Sequence, residues 1–170
     1  MHDPAWIQAA LERHERGLIR FAARLTGDLE TARELTQEVF LRLCAAERSA
    51  VEPKLAAWLY AACRNAALDH RRRTARRGRV ESNAMDEQQG GTSALEELET
   101  RDENERVRQQ IERLPEKQRE ALSLRFAGGL SYREIAEVTG DTVGNVSWLI
   151  HAGLKTLRER LGAGALEGRA

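Results

Sequence analysis

The chain of 170 residues is 41% hydrophobic and 32% charged, enough apolar side chains for one ordinary domain or two small ones, and too polar for membrane residence. No run approaches the ~18 apolar residues a spanning helix needs, and the N-terminus lacks the basic-then-apolar layout of a secretory signal. The formal charge of zero hides a partition: residues 1–77 carry +4, residues 78–103 carry −6 and residues 104–170 carry +2, blocks of the kind that meet different partners.

The first apolar stripe, Ile7, Leu11, His14, Leu18, Ala22 and Leu25, recurs every three or four residues and predicts a helix ending at Gly27. Asp28 is placed to cap a second helix with an inward face of Ala32, Leu35, Val39 and Leu43. A break over Ser49 to Glu52 precedes Pro53 near the start of a third helix, which carries Leu55, Trp58, Leu59, Ala62 and Ala66 and closes on His70 and three arginines. Cys44 and Cys63 fall inside these helical stretches. They show neither C-x-x-C nor Cys/His metal spacing, so neither a metal site nor a disulfide framework is expected, and a reducing cytoplasm fits best.

Residues 78–103 are rich in Gly, Ser, Asn, Gln and acid and read as a flexible linker, with Leu95 and Leu98 as a partial stripe near its end. The pattern restarts at Val107, Ile111 and Leu114. Pro115 then opens a helix through Ala121, Leu122 and Phe126 that Gly128 and Gly129 stop. Ser131 and Glu134 form a capping-box pattern ahead of Ile135 and Ala136. Gly140 supplies a tight turn, Thr142 a cap, and Val146, Ile150, Leu154, Leu157 and Leu161 the inward face of a last helix. Two short helices around a Gly turn are a helix-turn-helix signal. No stretch alternates with period two. The expected fold is all-α: two small helical domains, residues 1–77 and 104–170, joined by the acidic linker 78–103.

Two segments carry a family resemblance. GDLETARELTQEVFLRLC, followed by KLAAWLYAACRNAALDHRRR, is similar to the helical region 2 domain of the extracytoplasmic-function group of sigma-70-type sigma factors. RLPEKQREALSLRFAGGLSYREIAEVTGDTVGNVSWLIHAGLKTLRERL resembles their region 4 promoter-reading domain. Order and spacing also match. The resemblance implies a subunit that docks on core RNA polymerase and directs it to promoter DNA. The first domain would open the minus-ten element and the second would read the minus-thirty-five element as duplex. The acidic linker would lie in a basic polymerase channel, since a segment of this charge is repelled by DNA.

Residue by residue, the resemblance assigns polymerase docking to the outward face of the second helix, Glu30, Glu34, Gln37 and Glu38. Minus-ten contacts fall on the third helix. Trp58 and Tyr60 would stack on or wedge against bases; Arg64, Asn65 and Asp69 would present polar tips; Arg71, Arg72 and Arg73, continued by Arg76 and Arg77, would hold phosphates. Trp58 also lies on the apolar stripe, where core packing competes with stacking. The segment Ala50 to Glu52 matches the family's pocket for a flipped base. On the last helix Thr142, Asn145, Ser147, Trp148, His151, Ala152 and Lys155 are expected outward, with Arg125 and Tyr132 at positions that touch the DNA backbone. Asn145 would read adenine by a two-point hydrogen bond and Trp148 would pack on a thymine methyl or sugar. The basic residues common in the family at the positions of Ser147, Leu149 and Ala152 are missing, leaving Lys155 as the helix's one outward cation before Arg158.

Where the family carries a carboxylate cluster, this chain has Thr31 and Arg33. A phosphate on Thr31, or on Thr36 one turn later, would restore about −1.5 to −2 charges to the docking face. Control by a Ser/Thr kinase or by an anti-sigma factor is the corresponding expectation, alongside simple drift with the remaining acids sufficient. No convergent acid, base or nucleophile suggests catalysis, and no cofactor is expected. Two other readings stay open: a free-standing helix-turn-helix regulator whose first domain dimerises, and a protein-interaction module with a depleted recognition helix.

Overall fold

Stripes of period 3.6 become helices, and the computed structural model, which describes residues 4–81 and 101–162 and the side chains of 4–78 and 105–162, contains no strand among the described residues. The chain divides into two units, one holding helices α1 to α4 and the other α5 to α8.

In the first unit α1 (Pro4–Thr26), α2 (Leu29–Ala45) and α4 (Leu55–Glu81) pack pairwise into a three-helix bundle, with the short α3 (Arg48–Val51) and a 3-10 turn (Glu52–Lys54) between α2 and α4. α1 stops at Gly27, whose φ of 77° only glycine adopts freely. Asp28 then caps α2, its Oδ2 accepting from the Thr31 amide at 2.7 Å. The core gathers Leu18, Phe21 and Ala22 from α1, Ala32, Leu35, Val39, Phe40 and Leu43 from α2, and Leu59, Tyr60, Cys63, Ala66 and Ala67 from α4.

The inward face of α4 differs from the one read in the sequence. Trp58 and Ala62 are half-buried, while Tyr60 and Cys63 are fully enclosed. The physical reason is that α4 packs against both α1 and α2, so a second row, Tyr60, Cys63 and Ala67, goes under beside Leu59 and Ala66. The Tyr60 ring meets Phe21 edge-on at 5.4 Å and 69°. The expected break at Ser49 to Glu52 is instead helical, stitched by the Arg48 guanidinium donating to both Glu52 oxygens at 3.1 and 2.7 Å. Helix α4 runs past Gly78, and α5 begins at Arg101, so both ends of the expected 78–103 linker are helical. Its remainder, Leu95 and Leu98 included, lies outside the described residues.

In the second unit α8 (Val143–Leu161) is the centrepiece, packed on α5 (Arg101–Glu112), α6 (Glu116–Leu122) and α7 (Tyr132–Thr139). Gly153 permits the crossing with α6: a Cβ there would lie 2.8 Å from Leu122 Cδ1. The Ser131–Glu134 capping box forms in both directions, Gly140 turns at φ 76°, and Thr142 Oγ1 accepts from the Asn145 amide at 3.1 Å. Two sequence expectations are corrected. Between α6 and α7 the chain widens into a π turn (Ser123–Ala127), closed by the Gly128 amide on Ser123 O at 3.1 Å. The wider turn rotates Phe126 off the apolar stripe, and it is 67% exposed. Leu154, expected on the inward face, is half-buried, because α8 is flanked by three helices and turns Leu149 and Gly153 inward beside Val146, Ile150 and Leu157.

The Asp28 cap makes a prediction. Hydrogen bonds from the Thr31 side chain and amide hold the Asp28 carboxyl below its ordinary value of 3.8. A lowered carboxyl adds stability above its unfolded value and loses it as pH falls through the folded one. Asp28→Ala is therefore expected to cost about 1 kcal/mol at neutral pH, with the difference from wild type closing below that value of 3.8. Urea denaturation at pH 7 and pH 3 checks this; a difference that persists unchanged in acid contradicts it.

Candidate nucleic-acid interface

On α4, Asn65, Asp69 and Arg71 to Arg73 are exposed, and Arg64 is half-buried. Asn65 and Asp69 are four apart, so they share one side of the helix with Arg72 and Arg73. Asp69 organises that row: its Oδ1 accepts from Arg72 Nη1 at 3.3 Å and its carbonyl from Arg73 Nε at 3.4 Å. Both partners of the Asp69–Arg72 pair are more than half exposed, so the pair is weak and the guanidinium can turn to a phosphate at little cost. Arg76 and Arg77 extend the exposed basic end. Tyr60 does not join this surface. At 1% exposure it cannot stack on a base, which corrects the sequence expectation, and burial pushes its phenol up to about 12. Trp58 keeps a partly exposed face.

On α2, Glu30, Glu34, Gln37 and Glu38 are all exposed. Two of the three acids meet an arginine of the same helix, Glu30 with Arg33 at 3.4 Å and Glu38 with Arg42 at 3.9 Å. The face also carries Leu41, 64% exposed, which sequence reasoning passed over. Its signal was there: Leu41 lies three residues after Glu38 and off the Leu35, Val39, Leu43 stripe. Beside this face a groove between α2 and α4 is lined by Glu34 and Glu38 on one wall and His70, Arg73 and Arg77 on the other, so acidic and basic surfaces meet there.

The threonines come out differently from expectation. Thr36 is 2% exposed with its hydroxyl donating to Ala32 O at 2.8 Å, so it is closed to a modifying enzyme. Thr31 is half-buried, and its side chain and amide both donate to Asp28. The Thr31 amide in the first turn of α2 therefore already holds an anion, the Asp28 carboxylate.

On α8 the outward row is Val143, Asn145, Ser147, Trp148, His151, Ala152 and Lys155, with Val143 48% and Trp148 61% exposed, and Ala152, Asn145 and Ser147 half-buried. Val143, the first helical residue, was missed as a candidate contact because an apolar residue reads as core. His151 Nδ1 is 2.8 Å from the Ser147 carbonyl, which can only accept, so Nδ1 carries the hydrogen and Nε2 is left to accept in the uncharged ring. Thr142 is exposed, with its oxygen engaged in the cap. Arg125 and Tyr132 come together: the guanidinium lies 5.4 Å above the Tyr132 ring and donates through Nη1 to Leu130 O at 2.9 Å. From Val143 to Lys155 the outward row of α8 is partly apolar, with Lys155 its one lysine or arginine and the exposed Arg158 and Arg160 following in the last turn.

Burial pushes the Cys63 thiol up to about 12, and among the described residues no three His, Cys, Asp or Glu side chains converge as a metal would require.

Residues 10–77 match the family model of Sigma-70 region 2, and residues 104–157 match that of Sigma-70, region 4. Among curated proteins the chain is similar to ECF RNA polymerase sigma factor EcfG of Rhodopseudomonas palustris, 35% identical over 74% of this chain and 68% of that protein. It is also similar to SigC of Mycobacterium tuberculosis, 34% identical over 82% and 75%, and to SigE of Mycolicibacterium smegmatis, 29% identical over 93% of this chain but spanning 62% of that protein's length. Among solved structures it is similar in fold, at TM-score 0.62 and 23% identity over 91% of this chain and 95% of that one, to sigma factor RpoE of Bartonella quintana, determined in complex with the anti-sigma factor NepR.

Proposed function

The chain belongs to the extracytoplasmic-function group of the sigma-70 family, and on that premise we propose that it docks on core RNA polymerase and directs it to promoters. The observation that carries the reading is the pairing in one chain of a region 2 bundle bearing an exposed arginine row with a region 4 helix-turn-helix. In this reading α4 engages the minus-ten element through Asn65, Asp69, Trp58 and Arg64, with Arg71 to Arg73 on phosphates. α8 reads the minus-thirty-five element through Asn145, Ser147, Trp148, His151 and Val143, with Lys155, Arg125, Tyr132 and Thr142 holding the duplex backbone. Glu30, Glu34, Gln37, Glu38 and Leu41 form the polymerase-docking face of α2. The protein acts without a cofactor or catalytic step of its own, and in the cytoplasm, where the polymerase is.

Its control belongs to a partner. A relative in fold was determined in complex with an anti-sigma factor, and a similar partner fits the exposed apolar side chain of Leu41 on α2. Phosphorylation at Thr31 is the other route, and it requires the new phosphate to displace the Asp28 carboxylate from the helix cap.

Affinity measurements separate this function from that of a free-standing regulator. The protein alone is expected to bind promoter duplex weakly at physiological salt, with a dissociation constant of about 10⁻⁶ M or weaker and a shallow salt dependence, because α8 brings few phosphate contacts. It is expected to co-purify with core polymerase. Tight, palindrome-selective duplex binding by the protein alone would assign it to the regulators instead.

A further inference from the structure

We propose that Asp141 is a positioning residue for promoter reading, its carboxylate locking the Asn145 side-chain amide in the orientation that selects adenine over guanine; this rests on the assignment of Asn145 as a base reader. Asp141 sits between the Gly140 turn and the Thr142 cap. Asn145 Nδ2 donates to Asp141 Oδ1 at 2.8 Å, while the Asn145 backbone amide is held by Thr142 Oγ1 at 3.1 Å. The capping of α8 is thus done by Thr142, and Asp141 is left to act on a side chain.

That bond fixes a choice which an unrestrained asparagine leaves open. The two ends of a carboxamide are nearly the same size and differ in hydrogen bonding alone. A carboxylate accepts and never donates, so the nitrogen must face Asp141; a flipped amide would set two oxygens against each other. The oxygen of Asn145 then remains to accept, and the second hydrogen of Nδ2 remains to donate. Adenine offers the complement in the major groove, an N6 donor beside an N7 acceptor. Guanine offers two acceptors, O6 and N7, and would set one of them against the locked oxygen.

Asp141 is itself held. Its side chain is 22% exposed, and the same Oδ1 lies 3.8 Å from Lys117 Nζ on α6, a surface cation that offsets the carboxylate's charge. The backbone amide of Asp141 donates to Thr139 Oγ1 at 3.4 Å, tying the turn to the end of α7. A carboxylate beside DNA with no positioning role would repel phosphates, and its removal would tighten binding to every promoter alike.

The test uses holoenzyme reconstituted with wild type, Asp141→Ala, Asp141→Asn, Asn145→Ala and the Asp141→Ala/Asn145→Ala double variant. Promoter affinity is read across single base-pair substitutions of the minus-thirty-five element. Asn145→Ala is expected to lose about 10- to 100-fold of discrimination at one A·T pair, the range of a good bidentate contact. Asp141→Ala is expected to lose discrimination at that same pair and nowhere else, the double variant to lose no more than Asn145→Ala, and Asp141→Asn, which keeps an accepting oxygen, to retain part of it. Should Asn145→Ala act at one pair while Asp141→Ala scales all promoters equally, the positioning role is overturned and the base-reading role of Asn145 stands. Should Asn145→Ala itself scale all promoters equally, both are overturned.

Discussion

Replacing Tyr60 with alanine is expected to destabilise the first unit by about 3–5 kcal/mol, the range for removing a buried aromatic ring. The ring is 1% exposed and seated edge-on against Phe21, with ring centroids 5.4 Å apart, in the core of the bundle. Tyr60→Phe keeps the ring and is expected to cost far less. Alkali gives an independent sign. Because burial, with Cys63 beside it, raises the phenol from 10 to about 12, the folded unit holds its proton where the unfolded chain has begun to lose it. The associated stability is present below the unfolded value and is lost as pH rises through the folded one. Urea denaturation of the three proteins, with wild type and Tyr60→Phe followed from pH 8 to pH 11, checks both. A Tyr60→Ala protein of wild-type stability that fails at promoter melting would return Tyr60 to the DNA surface.

The second large effect is expected from the triple substitution Arg71→Ala, Arg72→Ala and Arg73→Ala. These guanidinium groups are exposed at the basic end of α4, with Arg72 restrained by a surface pair to Asp69. Each lost phosphate contact is expected to reduce the salt slope of holoenzyme binding by about 0.9 on duplex and about 0.7 on single strand, so the triple variant should fall by about 2 to 3. Phosphate contacts carry no sequence information, so the loss should be uniform across promoters. A loss confined to promoters of one minus-ten sequence would mean that an arginine reads a base.

The caps and turns of this chain were legible one helix at a time. Asp28, Ser131 with Glu134, and Thr142 each bond their helix starts as spacing implied, and Gly27 and Gly140 take the left-handed turns. Those features depend on residues a few positions apart. What sequence did not disclose depends on how many neighbours a helix has. One stripe suffices for a helix with one neighbour, but α4 is flanked by two and α8 by three, so Tyr60 went inside against expectation and Leu149, which the stripe did not include, went inside as well. Phe126 failed for a local reason: a π turn adds a residue to the turn and shifts every side chain after it.

The candidate site followed the same division. The arginine row of α4, the acids of α2 and the outward side of α8 were legible because charge and polarity mark exposed faces. Leu41 and Val143, apolar and exposed, carried the opposite mark. The bond between Asp141 and Asn145 was in reach of spacing alone, four residues apart across a helix start, but such a pair reads as two solvated polar residues until the turn at Gly140 brings them together.

Run-off transcription with purified core polymerase tests the central claim most directly. Templates are drawn from a library randomised at the minus-ten and minus-thirty-five positions. The protein is expected to produce discrete start sites absent with core enzyme alone, from templates sharing one element of each kind, and the combined Arg71, Arg72 and Arg73 substitution is expected to suppress them all. Transcripts no different from those of core enzyme alone, from a protein that is folded and bound to the polymerase, would contradict it.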